Sequence, residues 1–298
     1  LHYQIKKSKK MNTKATTNSP FNREVWNRIM QLLDSNNNRN SVYLSEACRK
    51  IYTAVQSDAS PANFDHLFEE EQELSYRMGV ILRREISNFM ENGNKEEALV
   101  RLELLLSCCG ETLQNFQLAA QVYLEICEWK KSLHFAEKAV ALNEQDPQNF
   151  YLRARAYSCL DRDELAMDDL NFALLLQPCH VSALMQRAML RHIQGASKSA
   201  VHDLRKAIQQ DTGNEEAWRM LGKVYFDMHK LAESYTALRE VLKLNPFDRD
   251  ALYLSASIRL HLGLELKTAG TQLEMAAALG HIAAGQKLSA LRQGRHAN

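Results

Sequence analysis

Apolar residues along this chain recur with helical rather than strand spacing, and the blocks they form recur in turn. Between Asn214 and Asp248, Trp218, Leu221, Gly222 and Tyr225 share one helical face; a second apolar run follows and Asn245-Pro246 closes it. Offsetting the sequence against itself by 34 residues brings the pattern back in six consecutive units, starting at residues 79, 113, 147, 181, 215 and 249, with no insertion between them. Position 4 of the unit reads Leu82, Phe116, Phe150, Leu184, Trp218 and Leu252. Position 8 reads Ile86, Ala120, Ala154, Ala188, Gly222 and Ala256, and position 20 reads Ala98, Ser132, Ala166, Ala200, Ser234 and Thr268.

Each unit predicts two helices. Large apolar residues at positions 4 and 11 mark the buried face of the first, and small residues at positions 8 and 20 let the two backbones approach. Gly93, Gly195 and Gly263 fall at position 15, where a turn between paired helices is expected; Cys127, Asp161 and His229 hold that slot elsewhere. Pro147, Gln177-Pro178 and Asn245-Pro246 punctuate the ends of units, because the residue before a proline avoids the helical region. Arg187, Arg191 and Arg259 stand where large apolar residues are expected. Either those hairpins are looser, or the Arg stems cover apolar surface while their heads reach solvent.

A 34-residue helix-turn-helix with W-x-x-L-G-x-x-Y, small residues at fixed places and a terminal proline resembles the tetratricopeptide repeat family. Trp218, Leu221, Gly222, Tyr225 and Pro246 carry the pattern most fully. The resemblance implies an all-α, right-handed superhelical solenoid over residues 79–282.

The flanks are helical without keeping the period. Phe21, Val25, Ile29 and Leu32 line one amphipathic face, a second helix follows with Ser41 as its cap, and a longer helix is expected to begin near Phe64. Residues 21–78 therefore read as an N-terminal helical extension or cap. Residues 283–298 read as the end of a terminal helix, to about Leu291, shielding the last hairpin before a short tail.

Composition narrows the function classes. The net charge of +1 excludes a global field for nucleic acid or acidic membrane, and the only strongly basic stretch is residues 1–20, with five Lys and no acid, which reads as a disordered tail. That tail lacks the apolar core of a secretory signal. The first Met is Met11, so the chain reads either as a fragment or as carrying ten residues foreign to the natural protein. No stretch is long and apolar enough to predict a membrane span. The cysteines at 48, 108, 109, 127, 159 and 179 make no C-x-x-C and have poor spacing for zinc, so reduced thiols and a cytoplasmic or nuclear location are expected. No Gly-rich phosphate loop, G-x-S-x-G or H-E-x-x-H occurs, and the expectation is a non-enzyme without cofactor or metal.

The resemblance also implies where a partner sits. In the family the first helices line a concave surface, with inward side chains from positions 2, 5, 6, 9, 12 and 13. Carried onto this sequence, those positions include Arg83, Gln117, Gln121, Tyr151, Arg155, Met185, Met189, His192, Ile193, Arg219, Lys223, Phe226 and Tyr253. Met adapts to irregular partners, aromatics anchor them, and the Arg and Lys residues suit acidic groups. The competing reading of these side chains is packing between helices and ordinary solvated charge. The Lys/Asn carboxylate clamp of the chaperone-tail binders is absent: Ser87, Leu118 and Leu152 stand at three of its positions. A basic stripe for nucleic acid is interrupted by Glu91, Glu125, Glu216, Asp227 and Asp250. The expected function is an adaptor or assembly scaffold holding a peptide or helix with apolar anchors and some acidic groups. The alternatives are a structural subunit held through its outer face and N-terminal helices, and a co-chaperone without the clamp. Self-association through the N-terminal helices is a further expectation.

Overall fold

The computed structural model describes residues 64–296. The basic tail, Met11, Cys48 and the two helices expected between residues 21 and 63 lie outside the described residues. Among the described residues there are thirteen α-helices and no strand: α1 Phe64–Glu91, α2 Lys95–Cys108, α3 Leu113–Glu125, α4 Trp129–Leu142, α5 Pro147–Cys159, α6 Asp163–Leu176, α7 Val181–Ile193, α8 Ser197–Gln210, α9 Glu215–Asp227, α10 Leu231–Leu244, α11 Arg249–His261, α12 Leu266–Ala278 and α13 Ile282–His296. They pair as six hairpins followed by one helix, and the fold is a helical solenoid. The chain divides into two compact units, one through Asn143 and one from Glu144.

The same chemistry starts each first helix from α3 onward. Thr112, Asp146, His180, Asn214 and Asp248, spaced at the repeat length, each accept a backbone N–H of the first turn, as in Asn214 Oδ1 from Ala217 at 2.9 Å and Asp248 Oδ1 from Ala251 at 2.6 Å. His281 does the same for α13, its Nδ1 accepting from Ala284 at 3.1 Å.

The turns inside the hairpins are equally regular. Gly93, Cys127, Asp161, Gly195, His229 and Gly263 all have positive φ. The N–H of the next residue bonds the carbonyl five residues back, as from Asn94 to Phe89 at 2.8 Å and from Lys230 to Tyr225 at 2.9 Å, which satisfies the helix's last carbonyls. A side chain in this left-handed region costs about 1–2 kcal/mol, so Cys127, Asp161 and His229 hold a turn that glycine would form without strain.

In the first unit, α1 runs without a break through residue 79, so the first repeat's opening helix continues the helix before it. Met78, Leu82 and Ile86 of α1 pack against Ala98, Leu102 and Leu105 of α2 and against Ala119, Val122 and Tyr123 of α3. Phe135 of α4 stacks on Tyr123 with ring centroids 5.5 Å apart.

In the second unit, α5 to α12 form four hairpins, and α13 packs on the last of them. Gly222 shows why position 8 must be small: a Cβ there would lie 2.8 Å from Leu238 Cδ2 on the paired helix. The serines at position 20 exploit the same close approach. Ser234 Oγ donates to the Gly222 carbonyl at 2.7 Å, and in the first unit Ser132 donates to Ala120 at 2.8 Å.

Arg187 and Arg191 neither loosen their hairpin nor reach for solvent. Arg187 donates to both carboxylate oxygens of Asp203 on α8, at 2.8 and 2.9 Å, and Arg191 to the same carboxylate at 2.6 Å. The Asp203 side chain is 1% exposed. Arg153 and Asp169 make the same two-pronged pair one hairpin earlier, at 2.7 and 2.8 Å. Arg259 binds Glu265 and the Tyr235 hydroxyl. These guanidinium groups replace apolar contacts with charge-assisted hydrogen bonds inside or between hairpins.

Candidate functional site

Arg83, Gln117 and Gln121 belong to the first unit. Arg83 is half-buried and donates to Asn115 Oδ1 at 2.8 Å; this is an amide, so its charge is not neutralised there. Gln117 is half-buried and Gln121 exposed.

The remaining candidates lie on the first helices of the second unit, which touch one another in sequence, α5 to α7 to α9 to α11. Tyr151 on α5 is half-buried, with its ring 5.4 Å from that of His180 and beneath the Arg155 guanidinium at 5.8 Å. Met185 packs on the core around Ala188 and Leu204, while Met189, one turn later, is 47% exposed and Ile193 is 69% exposed. Phe226 packs against the cluster of Leu238 and Ile258. Tyr253 stacks on His281, centroids 4.2 Å apart, so the start of α13 covers one face of its ring.

Polar groups on this surface tie each first helix to the next. His180 Nε2 lies 3.2 Å from Gln148 Oε1, His192 Nε2 lies 2.9 Å from Asp227 Oδ2, and Lys287 donates to Ser257 Oγ at 3.1 Å. His192 Nδ1 also meets Ser197 Oγ at 2.9 Å. Arg219, expected to offer its charge to a partner, is occupied instead: it pairs with Glu216 of its own helix and with Asp250 of α11 at 3.1 Å, with Asp248 at 3.7 Å. Arg155 and Lys223 meet no carboxylate among the described residues. Burial holds the His180 imidazole below its ordinary pKa, partly opposed by its own backbone and by Asp146.

On the second-helix side of the same unit, a cavity of 370 Å³ is lined by Arg205, Ile208 and Gln209 of α8, Trp218, Leu221 and Tyr225 of α9, and Glu233, Thr236 and Ala237 of α10. The repeat pattern explains Trp218, Leu221 and Tyr225 as core residues; that they leave a hollow between two second helices is a matter of shape that their spacing does not reveal. The legible signal was the run Lys198, His202, Arg205, Lys206 on a helix with one acid. Among the described residues no cluster of His, Cys, Asp or Glu could hold a metal, and no helix is long and apolar enough to cross a membrane.

This architecture is that of a helical-repeat solenoid. Residues 192–258 match the family model described as Tetratricopeptide repeat. Pseudomonas aeruginosa pilF superposes with a TM-score of 0.62 at 14% identity, covering 72% of this chain and 98% of that one, which establishes the likeness of fold. In sequence, sperm-associated antigen 1 from mouse is 34% identical over 100 residues, 34% of this chain and 10% of the relative. ER membrane protein complex subunit 2-A from Xenopus laevis is 24% identical over 90 residues, 30% of each chain. The chain thus spans less than a third of the curated relatives it matches.

Proposed function

We propose that this protein is a non-catalytic adaptor or assembly scaffold that holds a segment of a partner protein against the first helices of its second unit. The fold is a protein-interaction fold in general terms. The observation that carries the narrower reading is the surface around α7. There Met189 and Ile193 stand exposed, flanked by Arg155 and Lys223, whose charges meet no carboxylate among the described residues, while neighbouring polar groups are tied to one another. Exposed apolar side chains that no partner covers add nothing to the stability of the free chain, whereas a polar rim around an apolar centre suits binding.

A variant carrying Met189→Ser, Ile193→Ser and Lys223→Ser should lose a partner retained from native extract by the unaltered chain, with helicity by circular dichroism unchanged. Arg219 is left intact because its ion pairs join α9 to α11. Equal retention of every partner by both chains would remove the reading. A second reading, a fixed subunit of a larger assembly, draws on the Xenopus laevis relative being named as a subunit of a complex; it predicts the same equal retention and co-purification at fixed stoichiometry.

A further inference from the structure

Helix α8 distributes its charges unevenly. Its one carboxylate, Asp203, faces inward and is held by Arg187 and Arg191. Lys198, His202 and Arg205 are exposed and Lys206 half-buried, and none of the four meets a carboxylate among the described residues. The outer face of α8 is therefore a short basic strip whose counter-charge lies elsewhere. Beside it opens the 370 Å³ cavity, with Ile208, Trp218, Leu221 and Tyr225 providing apolar walls. Arg205 belongs to both features, its guanidinium carbon 5.9 Å from the centre of the Tyr225 ring. The opposite wall, on α10, carries Glu233, also without a cationic partner among the described residues.

We propose that the cleft between α8 and α10 is a second docking site, independent of the first-helix surface, for an acidic segment of a partner protein bearing one aromatic or branched aliphatic side chain. That side chain fills the cavity against Trp218 and Tyr225. Its neighbouring carboxylates meet Arg205, Lys206 and Lys198. Glu233 sets direction, since it accepts a backbone N–H or a basic side chain and repels a carboxylate, so the acidic part of the segment must run along α8. The volume falls near the lower end of the range for ligand pockets, about 300–1,000 Å³, which suits a single anchor. A strip of four basic groups alone would accept any polyanion; the apolar cavity and the glutamate opposite distinguish a peptide from a nucleic acid.

The test uses the full chain and a fluorescein-labelled synthetic peptide, Glu-Asp-Glu-Phe-Glu-Ser-Asp-Glu, followed by anisotropy. Saturable binding is expected, weakened about tenfold or more when Phe is replaced by Ser or the acids by their amides, and weakened by added salt. Arg205→Glu should weaken binding by a similar factor, and Thr236→Trp, which places a ring over the cavity from the exposed side of α10, should block it; both substitutions sit on exposed positions, and circular dichroism checks that helicity is kept. Met189→Ser on the first-helix surface should leave binding unchanged. The proposal is overturned by the absence of saturable binding, by equal affinity of the Arg205→Glu chain, by loss of binding through Met189→Ser, or by a polyuridine strand displacing the peptide and binding the Thr236→Trp chain as well as the unaltered one.

Discussion

At the scale of single residues, His180 does in one repeat what Thr, Asp or Asn does in the others. Its Nδ1 accepts from the Ala183 N–H at 3.2 Å, which requires that nitrogen to be unprotonated and leaves Nε2–H to donate to Gln148. Burial lowers its pKa from the ordinary 6.5. The unfolded chain therefore binds a proton that the folded chain refuses, and the stability contributed by this cap is complete above the unfolded pKa and falls as pH drops below it. His180→Asn keeps an acceptor in place without titrating. Thermal melts between about pH 7.5 and 5 should show a smaller loss of Tm for the variant than for the unaltered chain; equal losses would mean that His180 contributes nothing to acid sensitivity.

At the scale of the hairpin, Asp203 is the group on which two guanidinium ions depend. Asp203→Ala should cost about 3 kcal/mol in urea unfolding, because it leaves Arg187 and Arg191 partly buried without a counter-charge. Introducing instead the three residues that unit five carries at these positions, Arg187→Leu, Arg191→Tyr and Asp203→Ala together, should restore stability to within about 1 kcal/mol of the unaltered chain, since a well-packed apolar set replaces a buried ion pair with little loss. A triple variant as unstable as the single one would show that the hairpin is specified by its charges. This pair also marks the limit of what could be read in advance. Helix pairing and period were legible because Ala154, Ala188, Gly222 and Ala256 hold a place where the backbones nearly touch. The Arg–Asp pairs were not, because Arg187 and Asp203 sit on different helices and an Arg at an apolar position announces itself only as an exception. The sequence alone leaves Arg219 free for a partner for the same reason: Asp250, which occupies it, arrives from the next repeat. The caps were written in the sequence but in unlike residue types, Thr112, Asp146 and His180 among them, whose common role appears only once the helix starts are placed.

At the scale of the molecule, a hairpin in a stack leaves an apolar face for the next helix to cover. Ala284, Leu288 and Leu291 of α13 pack against Leu252, Leu273 and Ala276 of the last hairpin. Removing residues 282–298 should lower Tm and raise light scattering on heating, as the exposed face seeks another surface, because terminal capping elements keep repeat arrays soluble. An unchanged melt would mean that the face α13 covers adds nothing to the stability of this chain.

The regular caps and turns bear on how such a chain can change over generations. From α3 onward, the start signal of each first helix sits one residue before it, and the stop signal sits within its own hairpin, so neither borrows from a distant part of the sequence. A duplication or loss of one 34-residue step would arrive with its own punctuation and its own matched small residues. Copy number is thereby a quantity that can drift in whole steps while the join between any two neighbours stays the same.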